Sequence, residues 1–246
     1  MRKSSLHFLD LSYNFLTGIQ QFIQMKNLEY LDFSYNLLQG SLPVPPSLLT
    51  FFSASHNKLT GVIPPSFCNL SSIEYLDLSD NNLYGTVPQC LGNSTTIMVM
   101  DLRTNYFGSM PQIFGRHNQL TTLNLNGNKL EGPLPPSLMN CDQLHVLDLG
   151  NNMINDTFPH RLATLPELKV LILRANRFHG PIGNPQTEFP FSKLRILDLS
   201  HNKFSGLLPT TSFKNFQAMM SREYDRVGMV YMGDRYYQDS VELTIK

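Results

Sequence analysis

The chain has 246 residues, of which 19 are basic and 19 acidic, and 41% are hydrophobic. With the charges balanced and no long run of either sign, neither a nucleic-acid footprint nor an anionic-membrane patch is indicated, so local surface, not a global field, is expected to select partners. No stretch approaches the roughly 18 apolar residues of a membrane span.

The first residues, "MRKSSLHFLDLSYN", start like the basic region of a signal peptide, but Asp10 cuts the apolar stretch short and no small-residue cleavage site follows. The chain as written is therefore expected to have neither a secretory leader nor an anchor. From there an asparagine recurs at Asn14, Asn36, Asn57, Asn81, Asn105, Asn128, Asn152, Asn176 and Asn202, at spacings of 22, 21, 24, 24, 23, 24, 24 and 26. Positions eight, five and three before it and two after it are apolar in all nine repeats. Positions five and three before share one face of a strand, which predicts one short strand per coil, buried on one side. A coil of about 24 residues cannot bury that face alone, so coils must stack into one long parallel sheet, nine of them spanning on the order of 40 Å.

The asparagine falls where the chain turns out of the strand, and its amide can satisfy buried backbone groups that the turn leaves unpaired, which predicts a structural Asn ladder. Gly follows four residues later in seven repeats and Pro seven later in six. Gly permits a backbone angle that other residues avoid, and Pro ends pairing and turns the chain toward the convex side.

Cys68 and Cys90 fall on successive coils just after Pro64 and Pro88, where stacking brings them within reach of a disulfide; two buried thiols are the alternative. Cys141 has no counterpart on neighbouring coils and reads as a buried free thiol. Three sequons occur, at Asn69, Asn93 and Asn155. The first two follow their coil's Pro by five residues and are expected on the convex side, where they are predicted to carry glycans.

No nucleophile, base and orienting group converge, and no metal ligands stand at short spacing, so neither an enzyme nor a cofactor or metal site is expected. The Asp column four before the asparagine (Asp10, Asp32, Asp77, Asp101, Asp148, Asp198) reads as part of a solvated concave face. What varies is the pair of positions two and one before each asparagine, also expected on that face. Tyr13, Tyr35, His56, Asp80, Arg103, Arg174 and His201 are the candidate ligand-binding residues there, with the Tyr and Arg side chains as the anchors.

The pattern LxxLxxLxLxxNxLxGxIP, as in "SIEYLDLSDNNLYGTVP", resembles the plant extracellular type of leucine-rich repeat over residues 6–209. That resemblance implies an α/β repeat solenoid, a right-handed superhelix with a parallel β-sheet on the concave face. After Pro209 the repeat stops. "FSKLRILDLSHNKFSGLLPTTSFKNFQAMM" followed by "YYQDSVELTIK" is similar to the passage in plant receptor-like proteins where the main repeat block gives way to an island. Phe213, Asn215, Ala218, Met219, Tyr237, Asp239, Ser240, Thr244 and Lys246 carry the likeness, with Phe216 where that family often has Trp. The expected division is nine repeats over 1–209 and an incomplete island-like segment over 210–246.

The likeness implies a non-catalytic recognition ectodomain of a plant cell-surface protein in defence or developmental signalling, on the extracellular side of the plasma membrane. It implies a peptide, protein or glycan ligand on the concave face and a receptor-kinase partner. It also implies that the chain is an internal fragment or truncated product. A secreted leucine-rich-repeat inhibitor of cell-wall-degrading enzymes, a receptor-kinase ectodomain and a truncated product without function share many of these features.

Overall fold

The computed structural model describes residues 5–19, 25–183 and 190–210. The island-like segment expected over 210–246 lies outside them, apart from Thr210. Nine three-residue strands, Phe8–Asp10, Tyr30–Asp32, Phe51–Ser53, Tyr75–Asp77, Val99–Asp101, Thr122–Asn124, Val146–Asp148, Val170–Ile172 and Ile196–Asp198, form one sheet in chain order. All neighbours are parallel and in the same register, for example Leu76 opposite Met100. Every strand runs from six to four residues before its asparagine, so the coil number of each residue follows from the asparagine of its repeat.

The residues five and three before the asparagine point inward into one continuous apolar core. Leu31, Phe52, Leu76, Met100, Leu123, Leu147 and Leu171 are completely buried, stacked one coil upon the next. Each contributes on the order of 2 kcal/mol by leaving water, but only with a neighbouring coil to cover it, which makes stability cooperative along the stack.

One strand per coil was the sequence expectation, and the structure corrects it. A second set of strands runs over the Asn-x-Leu-x-Gly stretch: Gln39–Ser41, Lys58–Gly61, Asn82–Thr86 and Tyr106–Ser109 form a four-stranded sheet, and Glu131–Gly132 with Met153–Ile154 and His179–Pro181 with Lys203–Ser205 form two-stranded ones. The stretch is too short and too mixed to show alternation, and the pairing arises because stacking brings the same backbone segment of successive coils side by side. The glycines allow it: Gly85 has φ +86° and Gly61 φ +91°, a region that costs a residue with a Cβ about 1–2 kcal/mol.

Helix is a minor part of this solenoid. Pro64, Pro88 and Pro135 precede short helical turns, Pro65–Asn69, Gln89–Gly92 and Pro136–Asn140, on the side away from the long sheet. Cys68 in the first of these turns is bonded to Cys90 in the second, with Cα atoms 5.5 Å apart. Cys141 is free and buried, and burial pushes its thiol up to about 12.

The recurring asparagines are the joints of the stack. Asn81 Nδ2 donates to the carbonyls of Ala54 in the preceding coil and of Leu78 and Ser79 in its own, at 2.9, 3.3 and 3.0 Å. Its Oδ1 accepts the Leu59 N–H at 3.0 Å. The same set recurs from Asn36 to Asn202, and each amide thereby satisfies backbone groups of two coils.

Candidate functional site

The open face of the nine-stranded sheet is laid out in columns, one residue per coil. Position minus six carries Phe8, Tyr30, Phe51 and Tyr75 in coils 1 to 4, stacked face to face with ring centroids 4.1, 4.2 and 4.4 Å apart and nearly parallel planes. In coils 7 to 9 the column turns aliphatic: Val146, Val170 and Ile196 pack with Ile172 as a separate apolar cluster. The aromatic ladder was not among the expected site residues. Four consecutive aromatics at one repeat position were the signal for it.

Position minus four is the Asp column. Expected to be solvated, it keeps solvent at Asp10, Asp32, Asp77 and Asp198 and is also a set of turn caps: Asp10, Asp32, Asp77, Asp148 and Asp198 each accept, through Oδ1, the backbone N–H two residues on, at 2.8–2.9 Å, and Asp101 does so at 3.1 Å. In the middle of the stack these carboxylates lose solvent altogether, Asp101 being 0% and Asp148 5% exposed. Burial pushes the Asp32 carboxyl up, with Asp10 and Asp77 on either side adding to it, and burial does the same to Asp148.

Position minus two was also expected to be exposed, yet Ser34, Ser55 and Ser79 are buried. The next residue explains this. Every residue at minus one is left-handed, with φ near +50° for Tyr13, Tyr35, His56, Asp80, Thr104, Asn151, Ala175 and His201 and +67° for Gly127. Its N–H donates to the minus-two carbonyl of the following coil, as from Tyr35 to Ser55 and from Asp80 to Arg103, both at 3.0 Å. The turn carries the minus-one side chain outward and leaves the short Ser34, Ser55 and Ser79 side chains beneath, while the longer Arg103 and Arg174 at the same position still reach the face. Eight such hydrogen bonds, from Tyr13 to Ala175, support this row of residues, all but Gly127 with a β-carbon, in a conformation usually left to glycine, and His201 on the last described coil shares the angle.

Five of the seven expected ligand residues are thereby brought into one row. The Tyr13 and Tyr35 rings stack at 4.2 Å, and the Tyr35 ring stacks on His56 at 4.1 Å. His56 Nε2 lies 3.4 Å from Asp80 Oδ2, and Arg103 Nε lies 3.8 Å from Asp80 Oδ2 and 3.7 Å from Asp101 Oδ2. Burial pushes the Tyr35 phenol up, with Tyr13 adding to it. Arg174 stands three coils away against Asp198 at 3.9 Å, and His201 is exposed on the last coil. Two columns, one of rings and one of rings leading into an ion-pair network, thus flank a floor of Asp and Ser side chains.

The sequon asparagines lie elsewhere. Asn69 and Asn93 are exposed at the ends of the helical turns that carry the disulfide. Asn155 is exposed on the flank, at an open cleft with Arg177, His179 and Lys203. Among the described residues no group of three or more His, Cys, Asp or Glu side chains is placed to hold a metal ion, and no helix is long and apolar enough to cross a membrane.

The column geometry, repeated coil by coil on an Asn ladder, defines a leucine-rich-repeat protein. Profiles of the Leucine rich repeat family match residues 118–178 and, repeat by repeat, 27–49, 48–70, 72–94 and 193–215. Receptor-like protein 53 of Arabidopsis thaliana is 44% identical over 247 residues, which is 98% of this chain and 23% of that protein. Receptor-like protein 32 of the same plant is 42% identical over 98% of this chain and 26% of its own length. Among solved structures, the Arabidopsis receptor kinase HAESA in complex with the peptide hormone IDA and the co-receptor SERK1 superposes with a TM-score of 0.74 at 32% identity, over 83% of this chain and 36% of that one. The chain belongs to the plant leucine-rich-repeat receptor-like proteins, and it spans about a quarter of the length of these two curated relatives.

Proposed function

We propose that the chain is the ligand-recognising, non-catalytic part of a plant cell-surface receptor, and that its ligand is a peptide held on the concave sheet face between the ring ladder and the Tyr13 to Arg103 row. The observation that carries this reading is the way the rings are used. Phe8, Tyr30, Phe51 and Tyr75 cover one another's faces at 4.1–4.4 Å. Interior faces in such a ladder are closed to the flat stacking by which aromatic side chains hold sugar rings. What they offer is a continuous ribbon of ring edges, with the hydroxyls of Tyr30 and Tyr75, beside backbone-capping Asp groups, which suits an extended polypeptide. A solved relative of the same repeat type holds a peptide hormone and a co-receptor, which supports a receptor-kinase partner and an extracellular position at the plasma membrane.

Tyr35→Ala and Arg103→Ala are expected to weaken binding of peptides selected from a synthetic array by roughly 30-fold each, the scale of an anchor residue of about 2 kcal/mol. Titration calorimetry measures the affinity and circular dichroism the melting transition. Lost binding with an unchanged transition supports the assignment, and retained affinity removes these residues from the site.

Asn69 and Asn93 are proposed to carry N-linked glycans, both on the side away from the sheet, so that the recognition face stays open. Enzymatic deglycosylation of the secreted chain should lower its mass by two glycans, and Asn69→Gln with Asn93→Gln should abolish the shift. An unchanged mass on deglycosylation rules the proposal out.

A further inference from the structure

The chain is neutral in total but not along its length. Residues 5–105 hold seven acidic against three basic side chains, a net of −4, whereas residues 106–210 hold nine basic against seven acidic, a net of +2. The absence of a field expected from composition therefore conceals a dipole along the stack. Position minus seven, at the entry to each strand, shows the change of sign: His7, Glu29, Thr50 and Glu74 in coils 1 to 4, with His7 against Glu29 at 3.0 Å, Met98 and Thr121 in coils 5 and 6, then His145, Lys169 and Arg195 in coils 7 to 9, of which Lys169 and Arg195 carry the charge.

The Asp column divides in the same way once its partners are considered. Asp101 faces Arg103 at 3.7 Å, Asp148 takes the Asn126 amide at 3.0 and 3.1 Å, and Asp198 faces Arg174 at 3.9 Å. Asp10, Asp32 and Asp77 cap their turns but form no ion pair with a basic side chain among the described residues. In the second half, Lys193 and His145 share Glu167, while Lys169 and Arg195 form no ion pair among the described residues.

Resting on the reading of this face as a peptide site, we propose that its occupant is a dipolar extended peptide, with Lys or Arg residues over coils 1 to 4 and Asp or Glu residues over coils 7 to 9. The uncompensated carboxylates of Asp10, Asp32 and Asp77 take the basic half. The rim of Lys169 and Arg195 takes the acidic half, and the neutral coils 5 and 6 lie under its middle. Nine coils about 4.8 Å apart, spanned by an extended chain rising about 3.3 Å per residue, set its length at about 12 residues. A uniformly charged polymer, protein or polysaccharide, is matched by one half and repelled by the other.

The test is a panel of synthetic twelve-residue peptides with the same apolar residues, in which the charged residues are basic then acidic, acidic then basic, all basic, all acidic or absent. Affinities for the full chain are measured at 50 and 200 mM salt. A dipolar peptide in one of the two directions is expected to bind at least tenfold more tightly than every uniform or neutral one, and to lose much of that advantage at the higher salt. The triple change Asp10→Asn, Asp32→Asn, Asp77→Asn should erase the advantage without lowering the melting transition. Asn124 shows why: the column already accommodates Asn with the same turn bond, from Asn126 N–H at 3.1 Å. Lys169→Gln with Arg195→Gln should erase it from the other end. If neutral and uniformly charged peptides bind as tightly and are weakened by Tyr35→Ala, the peptide site stands and its dipolar selectivity is overturned. If no peptide of any pattern binds, both fall.

Discussion

Replacing Asn81 by alanine is expected to cost about 4 kcal/mol of folding stability, read as a fall in the urea midpoint, while Asn82→Ala next to it stays within about 0.5 kcal/mol. The difference lies in what each amide holds. Asn82 is exposed, whereas Asn81 is 7% exposed. The Asn81 amide is bonded to the carbonyls of Ala54, Leu78 and Ser79 and to the N–H of Leu59. Alanine removes all four bonds and leaves buried backbone groups without water to replace them, at about 1–3 kcal/mol for each group stranded. Two groups that cannot find another partner suffice for the stated loss. A loss under 1 kcal/mol would mean that water reaches the turn, and that the ladder is a consequence of stacking instead of a cause.

The period of that asparagine made most of the fold legible. All nine strands begin six residues before it and end four before it, and the four apolar columns are the core. The second sheet was not legible, because Asn82 to Thr86 and its equivalents pair through backbone that stacking alone brings together. Nor was the left-handed turn, since Tyr13, Tyr35, Thr104 and Ala175 are not residues that announce a positive φ; hydrogen bonds to the next coil accompany it from Tyr13 to Ala175. That turn is why the candidate site was read only in part. Variation at minus two and minus one pointed to the right segment, but with Ser34, Ser55 and Ser79 folded inward only the minus-one residues form a surface row, from Tyr13 to Asp80, joined by Arg103. The Asp column looked solvated because a strand's outward face usually is; that holds outside Asp101 and Asp148, and each carboxylate also bends back onto its own turn. The ring ladder at minus six was visible as four aromatics in register, and its stacking follows from the 4.8 Å spacing of parallel strands.

The second large effect is expected at the opposite side of the same coils. Cys68→Ser with Cys90→Ser should lower stability by about 3 kcal/mol, the loop-closure value for a ring of this size, given a separation of 22 residues between the two cysteines. The comparison is made by urea unfolding with and without a thiol reductant: the native chain should lose stability on reduction and the variant should not respond. Equal stability of the two under oxidising conditions would mean that the thiols are not joined, since Cys68 is exposed and Cys90 half-buried, so that exchanging the sulfur for a hydroxyl costs little apart from the loss of closure. The effect has a functional side. In a stack where each coil touches only its neighbours, the bond ties coil 3 to coil 4, and it is between these coils that His56 meets Asp80 and Phe51 meets Tyr75 on the sheet face. Loosening the joint costs the ligand row its continuity at that point. The double Ser variant is therefore expected to bind selected peptides about tenfold more weakly as well, through its fraying and without the loss of any ligand contact, and a lower temperature should restore part of that affinity.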